Sequence, residues 1–174
     1  MLAVISDTHA TDGHELRGRT LEAVREADAV IHAGDFYREP VLDALLDVND
    51  AVYGVTGNND DAALRERLPE ERVVAVEGAT IAVRHRSRSG ATGLALFGRE
   101  RGADLVVFGH SHRPEFDDSG PVPLLNPGSY AQPRGNRAAH AELVRTDDGL
   151  SGELVTPAGE TFASFAVPVG EGDR

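Results

Sequence analysis

Five short segments of this chain each end an apolar run with a side chain that can bind a hard metal ion. They are Asp7-Thr-His9, Gly34-Asp35, Gly57-Asn58-Asn59-Asp60, His85 and Gly109-His110-Ser-His112. They constrain the fold strongly, because residues spread from position 7 to position 112 can meet only if the runs before them lie side by side with their ends level. A mostly parallel sheet does this, and in such sheets ligands bind beyond the carboxyl ends of the strands.

The intervening pattern agrees. Leu2–Ser6, Ala29–His32 and Ala51–Val55 read as buried strands. Between and after them, Arg19–Ala27, Pro40–Val48 and Asp60–Leu68 carry helical periodicity, with Pro40 suited to a first turn and Pro69 stopping the last helix. Val73–Glu77 and Thr80–Arg84 predict a hairpin around Gly78, followed by a helix over Ala91–Arg101 and a strand over Asp104–Phe108. Beyond that point the helices disappear. Val122–Leu125, Ala138–Arg145, Leu150–Thr156 and Thr161–Val167 are strand candidates, with Asp147-Asp-Gly149 as a hairpin turn. Strand–helix alternation followed by a run of strands predicts an α/β fold of two packed mixed β-sheets flanked by helices. The 174 residues fit one domain over 1–174, with 169–174 expected to fray.

Composition narrows the chemistry. Asp and Glu number 29 against 17 basic residues, all of them Arg, for a net charge of −12. A GC-rich genome and adaptation to high salt both account for an acidic, lysine-free chain. Either way the balance argues against broad electrostatic binding to nucleic acid. With no cysteine, any metal must be bound through oxygen and imidazole. No apolar stretch is long enough to span a membrane and the chain opens directly on a strand without a basic leader, so a cytoplasmic protein is the expectation.

Taken singly, each segment has an ordinary explanation: an Asp before a helix is commonly an N-cap, as Asp60 could be, and Gly-Asn is a common turn. His14, His32 and His140 fall outside the pattern and read as surface or packing residues. In the pattern itself, Asp7 and His9 are two residues apart, a spacing that puts both on one side of extended backbone, and His110 and His112 repeat it. The pooled set of carboxylates, imidazoles and one amide suffices for a pair of divalent ions, a common device for phosphate-ester hydrolysis.

The order Asp-x-His, Gly-Asp, Gly-Asn-x-Asp, His, Gly-His-x-His resembles the calcineurin-like metallophosphoesterase superfamily, in its small single-domain archaeal and bacterial phosphodiesterase branch. Asn126-Pro-Gly-Ser129, continuing to Gln132-Pro-Arg134, resembles the same branch. The resemblance implies the metallophosphoesterase-type four-layer α/β sandwich. It implies a first metal on Asp7, His9, Asp35 and His112, and a second on Asp35, Asn58, His85 and His110, with Asp35 bridging. Asp35, Asn58 and His110 would then also serve catalysis, with a hydroxide between the metals as nucleophile. Manganese suits this donor set best, with nickel, cobalt, iron or zinc as alternatives. Asn59, Arg86 and Arg134, with Arg88 less favoured, are candidate contacts to a small phosphate-ester substrate, and Asp60 could orient a ligating histidine. The branch also implies a homo-oligomer, although no interface is legible in the residues.

Two departures from the family pattern stand out. Asn59 occupies a place where many members carry a histidine that protonates the leaving group, and an amide cannot do so. Arg86 follows His85 where glycine is usual. The rivals to a phosphodiesterase are a scaffold of the same fold, like the retromer subunit in this superfamily, and a phosphomonoesterase or nucleotide pyrophosphohydrolase.

Overall fold

The structure, a computed structural model, describes residues 1–170. Its strands are β1 Leu2–Ile5, β2 Ala29–His32, β3 Val52–Gly54, β4 Glu71–Val76, β5 Ala79–Arg84, β6 Leu105–Val107, β7 Glu115–Asp117, β8 Leu124–Asn126, β9 His140–Thr146, β10 Gly149–Val155 and β11 Thr161–Pro168. Its helices are α1 Gly18–Glu26, α2 Glu39–Val48, α3 Ala62–Arg67 and α4 Gly90–Glu100. None of them is long and apolar enough to cross a membrane.

Two mixed sheets form, in the orders β11-β10-β9-β1-β2-β3 and β4-β5-β6-β8-β7. The first was expected to be mostly parallel. Only β1, β2 and β3 pair that way, and the hairpin strands β9 to β11 extend the sheet antiparallel from the other side of β1. Period two explains why the inner strands are apolar throughout. Leu2 and Val4 of β1 join Ile81, Val83, Leu105 and Val107 in the core between the sheets. Ala3 and Ile5 turn the other way, against Val24 of α1, Leu45 of α2 and Leu64 of α3. On the far side Ala82 and Val106 meet Leu94 and Phe97 of α4. The layers therefore run helix, sheet, sheet, helix, because strands covered on both faces need apolar residues at every position.

Three local expectations need correction. β7 went unread because Glu-Phe-Asp carries neither an apolar run nor alternation long enough to register. Helix α3 begins at Ala62, and Asp61, not Asp60, caps it by accepting the Leu64 N–H at 3.0 Å. Of the expected frayed tail, residues 171–174 lie outside the described residues. Val169 packs on the inter-sheet core and the Gly170 N–H donates to Asp104 at 3.0 Å, so fraying does not start at 169.

Candidate metal centre

The segments do converge at the carboxyl ends of β1, β2, β3, β5 and β6, but not on extended backbone. Asp7, His9, Asp35, His110 and His112 have φ of 54°, 46°, 59°, 73° and 58°, all in the left-handed region. The i, i+2 spacing thus brings side chains together through left-handed turns over the sheet edge. Each such non-glycine residue costs about 1–2 kcal/mol, and strain of this kind collects at functional sites. It is sustained by a dense backbone lattice. The N–H groups of Asp7, His9 and Ala10 donate to the carbonyls of Gly34, Asp35 and Phe36 at 2.9, 3.2 and 3.1 Å, zipping the loop after β1 to the loop after β2.

His32, expected to be a surface or packing residue, helps lock this lattice. It is fully buried and stacks on Phe36 with ring centroids 3.5 Å apart. The Gly34 N–H donates to its Nδ1 at 3.1 Å, so the neutral ring carries its proton on Nε2 and donates it to the Thr8 hydroxyl at 3.0 Å. One ring therefore ties the residue between Asp7 and His9 to the residue before Asp35. Burial, partly offset by Asp7, pushes its pKa down to about 3. The unfolded histidine takes up a proton near 6.5. In the window between these values the unfolded state binds more protons, so stability falls with falling pH by up to about 1.4 kcal/mol per unit. His32→Asn keeps an acceptor but takes up no proton. Urea titrations of chelator-treated protein at pH 7 and 4.5 should find the variant less stable at pH 7 and the gap about 2 kcal/mol narrower at pH 4.5. Parallel losses in both proteins would refute this.

Above this lattice, Asp7 and Asp35 are buried and face a ring of imidazoles. His112 Nε2 lies 3.2 Å and His9 Nε2 3.7 Å from Asp7 Oδ1. His9 Nε2 and His85 Nε2 lie 3.6 and 3.4 Å from Asp35 Oδ2. Two clusters of mutually close donors result, Asp7–His9–His112 and Asp7–Asp35–His85. The second nitrogens of two rings are fixed from behind: His85 Nδ1 donates to the Ala33 carbonyl at 2.7 Å, and His112 Nδ1 donates to the Gln132 carbonyl. That tautomer aims the Nε2 lone pairs at the carboxylates, the arrangement seen around metal-bound histidine.

Lone pairs aimed at carboxylate oxygens repel unless a cation lies between them. Consistent with that demand, Asp7 Oδ1, His9 Nε2 and His85 Nε2 are buried with no hydrogen-bond partner. The charge balance points the same way. Burial would lower the pKa of His85 and His112, but Asp35 beside the first and Asp7 beside the second raise both above the ordinary value. Burial would raise the two carboxyls. The His112 and His9 contacts instead hold Asp7 far below the usual carboxylate range, and His85 and Asn59 hold Asp35 at about 2. The residues present therefore fit divalent cations bound through oxygen and imidazole.

The remaining candidates fall around this centre. Asn58 is exposed at its rim, and its carbonyl accepts from Arg65 at 3.1 Å. His110 belongs to neither cluster. Its ring meets His85 edge-on with centroids 5.3 Å apart, and its backbone N–H donates to Asp7 Oδ2 at 3.0 Å. Asn59 clamps Asp35, donating from its backbone N–H at 2.8 Å and from its side-chain amide at 2.7 Å. Asp60 touches no histidine; it accepts the N–H groups of Asp35, Tyr37 and Gly57 at 3.2, 2.7 and 2.7 Å, and so shapes the two loops that meet at Asp35. Arg86, Arg88 and Arg134 are exposed.

Ser6, Asn126 and Ser129 were given no role from the sequence, yet they position the ligand candidates. The Ser6 hydroxyl donates to Asp7 Oδ2 at 2.7 Å and that of Ser129 to the Asp7 carbonyl at 2.7 Å. Asn126 donates to the Gly109 carbonyl at 3.0 Å and to Ser111 Oγ at 2.9 Å, and accepts the Gly128 N–H at 2.9 Å. The available signal was the Asn126-Pro-Gly-Ser129 segment itself.

Known proteins resemble this chain in sequence and in fold. Residues 1–149 match the sequence model of the calcineurin-like phosphoesterase superfamily domain. A probable metallophosphoesterase of Methanocaldococcus jannaschii is 35% identical over 139 residues, spanning 77% of this chain and 70% of its own. A protein named as a phosphodiesterase from the same organism is 25% identical over 138 residues, spanning 73% of this chain and 82% of its own. In three dimensions, Vps29 of Entamoeba histolytica, solved with Zn²⁺, superposes with a TM-score of 0.72 at 22% identity, covering 96% of this chain and 98% of that one, a likeness of fold. With the family's sequence model spanning most of its length, this chain belongs to the calcineurin-like phosphoesterase superfamily, a class of phosphoesterase hydrolases.

Proposed function

We propose that the chain is a metal-dependent phosphodiesterase with a dinuclear centre. The observation that carries this reading is the convergence of two unpartnered buried imidazole nitrogens, His9 Nε2 and His85 Nε2, on the carboxylates of Asp7 and Asp35, of which Asp7 Oδ1 is itself unpartnered. Asp7, His9, Asp35 and His112 would hold the first ion, and Asp35, Asn58, His85 and His110 the second. The bridging role of Asp35 is supported by its Oδ2, which faces His9 of one set and His85 of the other. A carboxylate is suited to that place because cations about 3.5–4 Å apart need an anion between them.

When bound, divalent ions would lower the pKa of water and neutralise charge on phosphoryl oxygens. The chain's own residues supply position and charge. Asn59 holds Asp35 ionised and oriented. Arg86 and Arg134 stand at the rim as cations for the phosphate. Asn59 offers no transferable proton, so substrates with good leaving groups are favoured. Manganese is the preferred metal on the chemistry of the donors.

The test is a metal screen. Chelator-stripped protein should be inactive on bis-p-nitrophenyl phosphate, and added Mn²⁺ should restore turnover. Protein that takes up manganese but hydrolyses no mono-, di- or pyrophosphate ester would instead be a scaffold of the same fold.

A further inference from the structure

Beside the centre lies a cavity of about 690 Å³, a volume in the range of small-molecule sites. Asn58 and His85 form its border with the candidate ligands, and it runs outward over the ends of β4 and β5. Its charge is opposite to that of the chain. Arg65, Arg84, Arg86 and Arg88 line it against a single acid, Glu70, in a protein of net charge −12. Arg65 is engaged with the carbonyls of Asp60 and Asn58, and Arg84 lies 4.0 Å from Glu71. Arg86 and Arg88 form no ion pair among the described residues, and unlike the other described arginines without one, Arg65 apart, they are gathered in a single cavity beside the centre. No Phe, Tyr or Trp lines the cavity, and Leu68 is its one large apolar side chain, so its lining is dominated by charge. Concentrated, unneutralised guanidinium groups suit phosphate.

We infer that this cavity is a subsite for a second phosphate of the substrate, which makes the substrate a phosphoanhydride. The inference rests on the phosphoesterase reading and names its substrate class. Leaving-group chemistry supports it independently. Hydrolysis adds one water across the P–O–P bridge: the water oxygen bonds to the phosphorus at the centre, the bond from that phosphorus to the bridging oxygen breaks, and the water's protons pass to solvent or to the two phosphate products. An alkoxide leaving group is about as basic as hydroxide and needs a proton, whereas a phosphate, with a second pKa near 6, leaves without one. A site with Asn59 in place of an acid, and arginines where the departing phosphate would gather charge, matches that demand.

The test compares two inert ligands on manganese-loaded protein. Imidodiphosphate, with a P–N–P bridge, should bind at least about tenfold more tightly than methylphosphonate, since two extra charge-assisted contacts are available. The double variant R86A/R88A should lose that advantage. R25A/R99A, which removes the same charge elsewhere, should keep it. Equal affinities in the wild type, or an advantage that survives R86A/R88A, would overturn the subsite. If the advantage behaves as expected but neither pyrophosphate nor bis-p-nitrophenyl phosphate is hydrolysed with any metal, the phosphoesterase reading fails and the subsite stands.

Discussion

Asp35→Asn should lower turnover of bis-p-nitrophenyl phosphate by about a thousandfold or more while leaving the fold intact. The substitution keeps the size and shape of the side chain, removes its charge and turns one of the two oxygens that accept from Asn59 into a donor. That charge faces His9 and His85 at 3.6 and 3.4 Å, so its loss affects both candidate ion positions at once. The far-ultraviolet spectrum should not change, because strands β2 and β3 are held by their own ladder and by Asp60. Full activity in Asp35→Asn would show that the bridging assignment is wrong. A partial loss of about tenfold would point to Asp7, which belongs to both donor clusters, as the shared ligand.

The second large effect comes from a residue with no side chain. A Cβ at Gly57 would lie 2.0 Å from Asp35 Oδ1 and 2.3 Å from the Asp35 backbone nitrogen. Neither atom can yield, since each is tied by hydrogen bonds to Asn59 or Asp60. Gly57→Ala should therefore displace Asp35, cost about 1–3 kcal/mol of stability and reduce turnover by at least about a hundredfold. Gly109 is confined in the same way, by Ser6 Oγ at 2.1 Å and Asp7 Oδ2 at 2.6 Å. The control is Gly13→Ala, where the new Cβ would meet Ala44 at an ordinary 4.0 Å. Chemical denaturation and steady-state rates on the three proteins decide the matter. A Gly57→Ala protein indistinguishable from the control would contradict the packing described above.

Much of this was legible from residue type and period alone. Apolar runs such as Leu2–Ile5 and Leu105–Val107 announced strands covered on both faces, and the structure divides each between two cores. The hairpin at Gly78 was readable because its turn residues carry the signal, and both Glu77 and Gly78 have positive φ. The donor segments were readable because glycine before Asp35, Asn58 and His110 marks places where backbone crowds a neighbouring element.

What stayed hidden depended on contacts distant in sequence. Nothing local forces Asp7 or His112 into the left-handed region; hydrogen bonds from the loop after β2 and from residues 126–132 do. Asp60 and Asp61 are interchangeable as letters, and only the approach of Tyr37 and Gly57 assigns one to the loops and the other to the helix cap. His32 ends an apolar strand like many packing residues. Its role appears only when Thr8 and Gly34 are seen to share its ring. The two departures noted in the sequence acquire meaning in the same way. Asn59 is the clamp on Asp35, and Arg86 opens onto the cationic cavity beside His85.

The central claim is that these strand-end side chains bind a pair of divalent ions. Calorimetric titration of Mn²⁺ into chelator-stripped protein tests it most directly, with Asp35→Asn measured alongside. Two ions per chain are expected for the wild type, and loss of at least one ion in the variant. A wild-type stoichiometry of one or none, or a variant that binds as the wild type does, would contradict it.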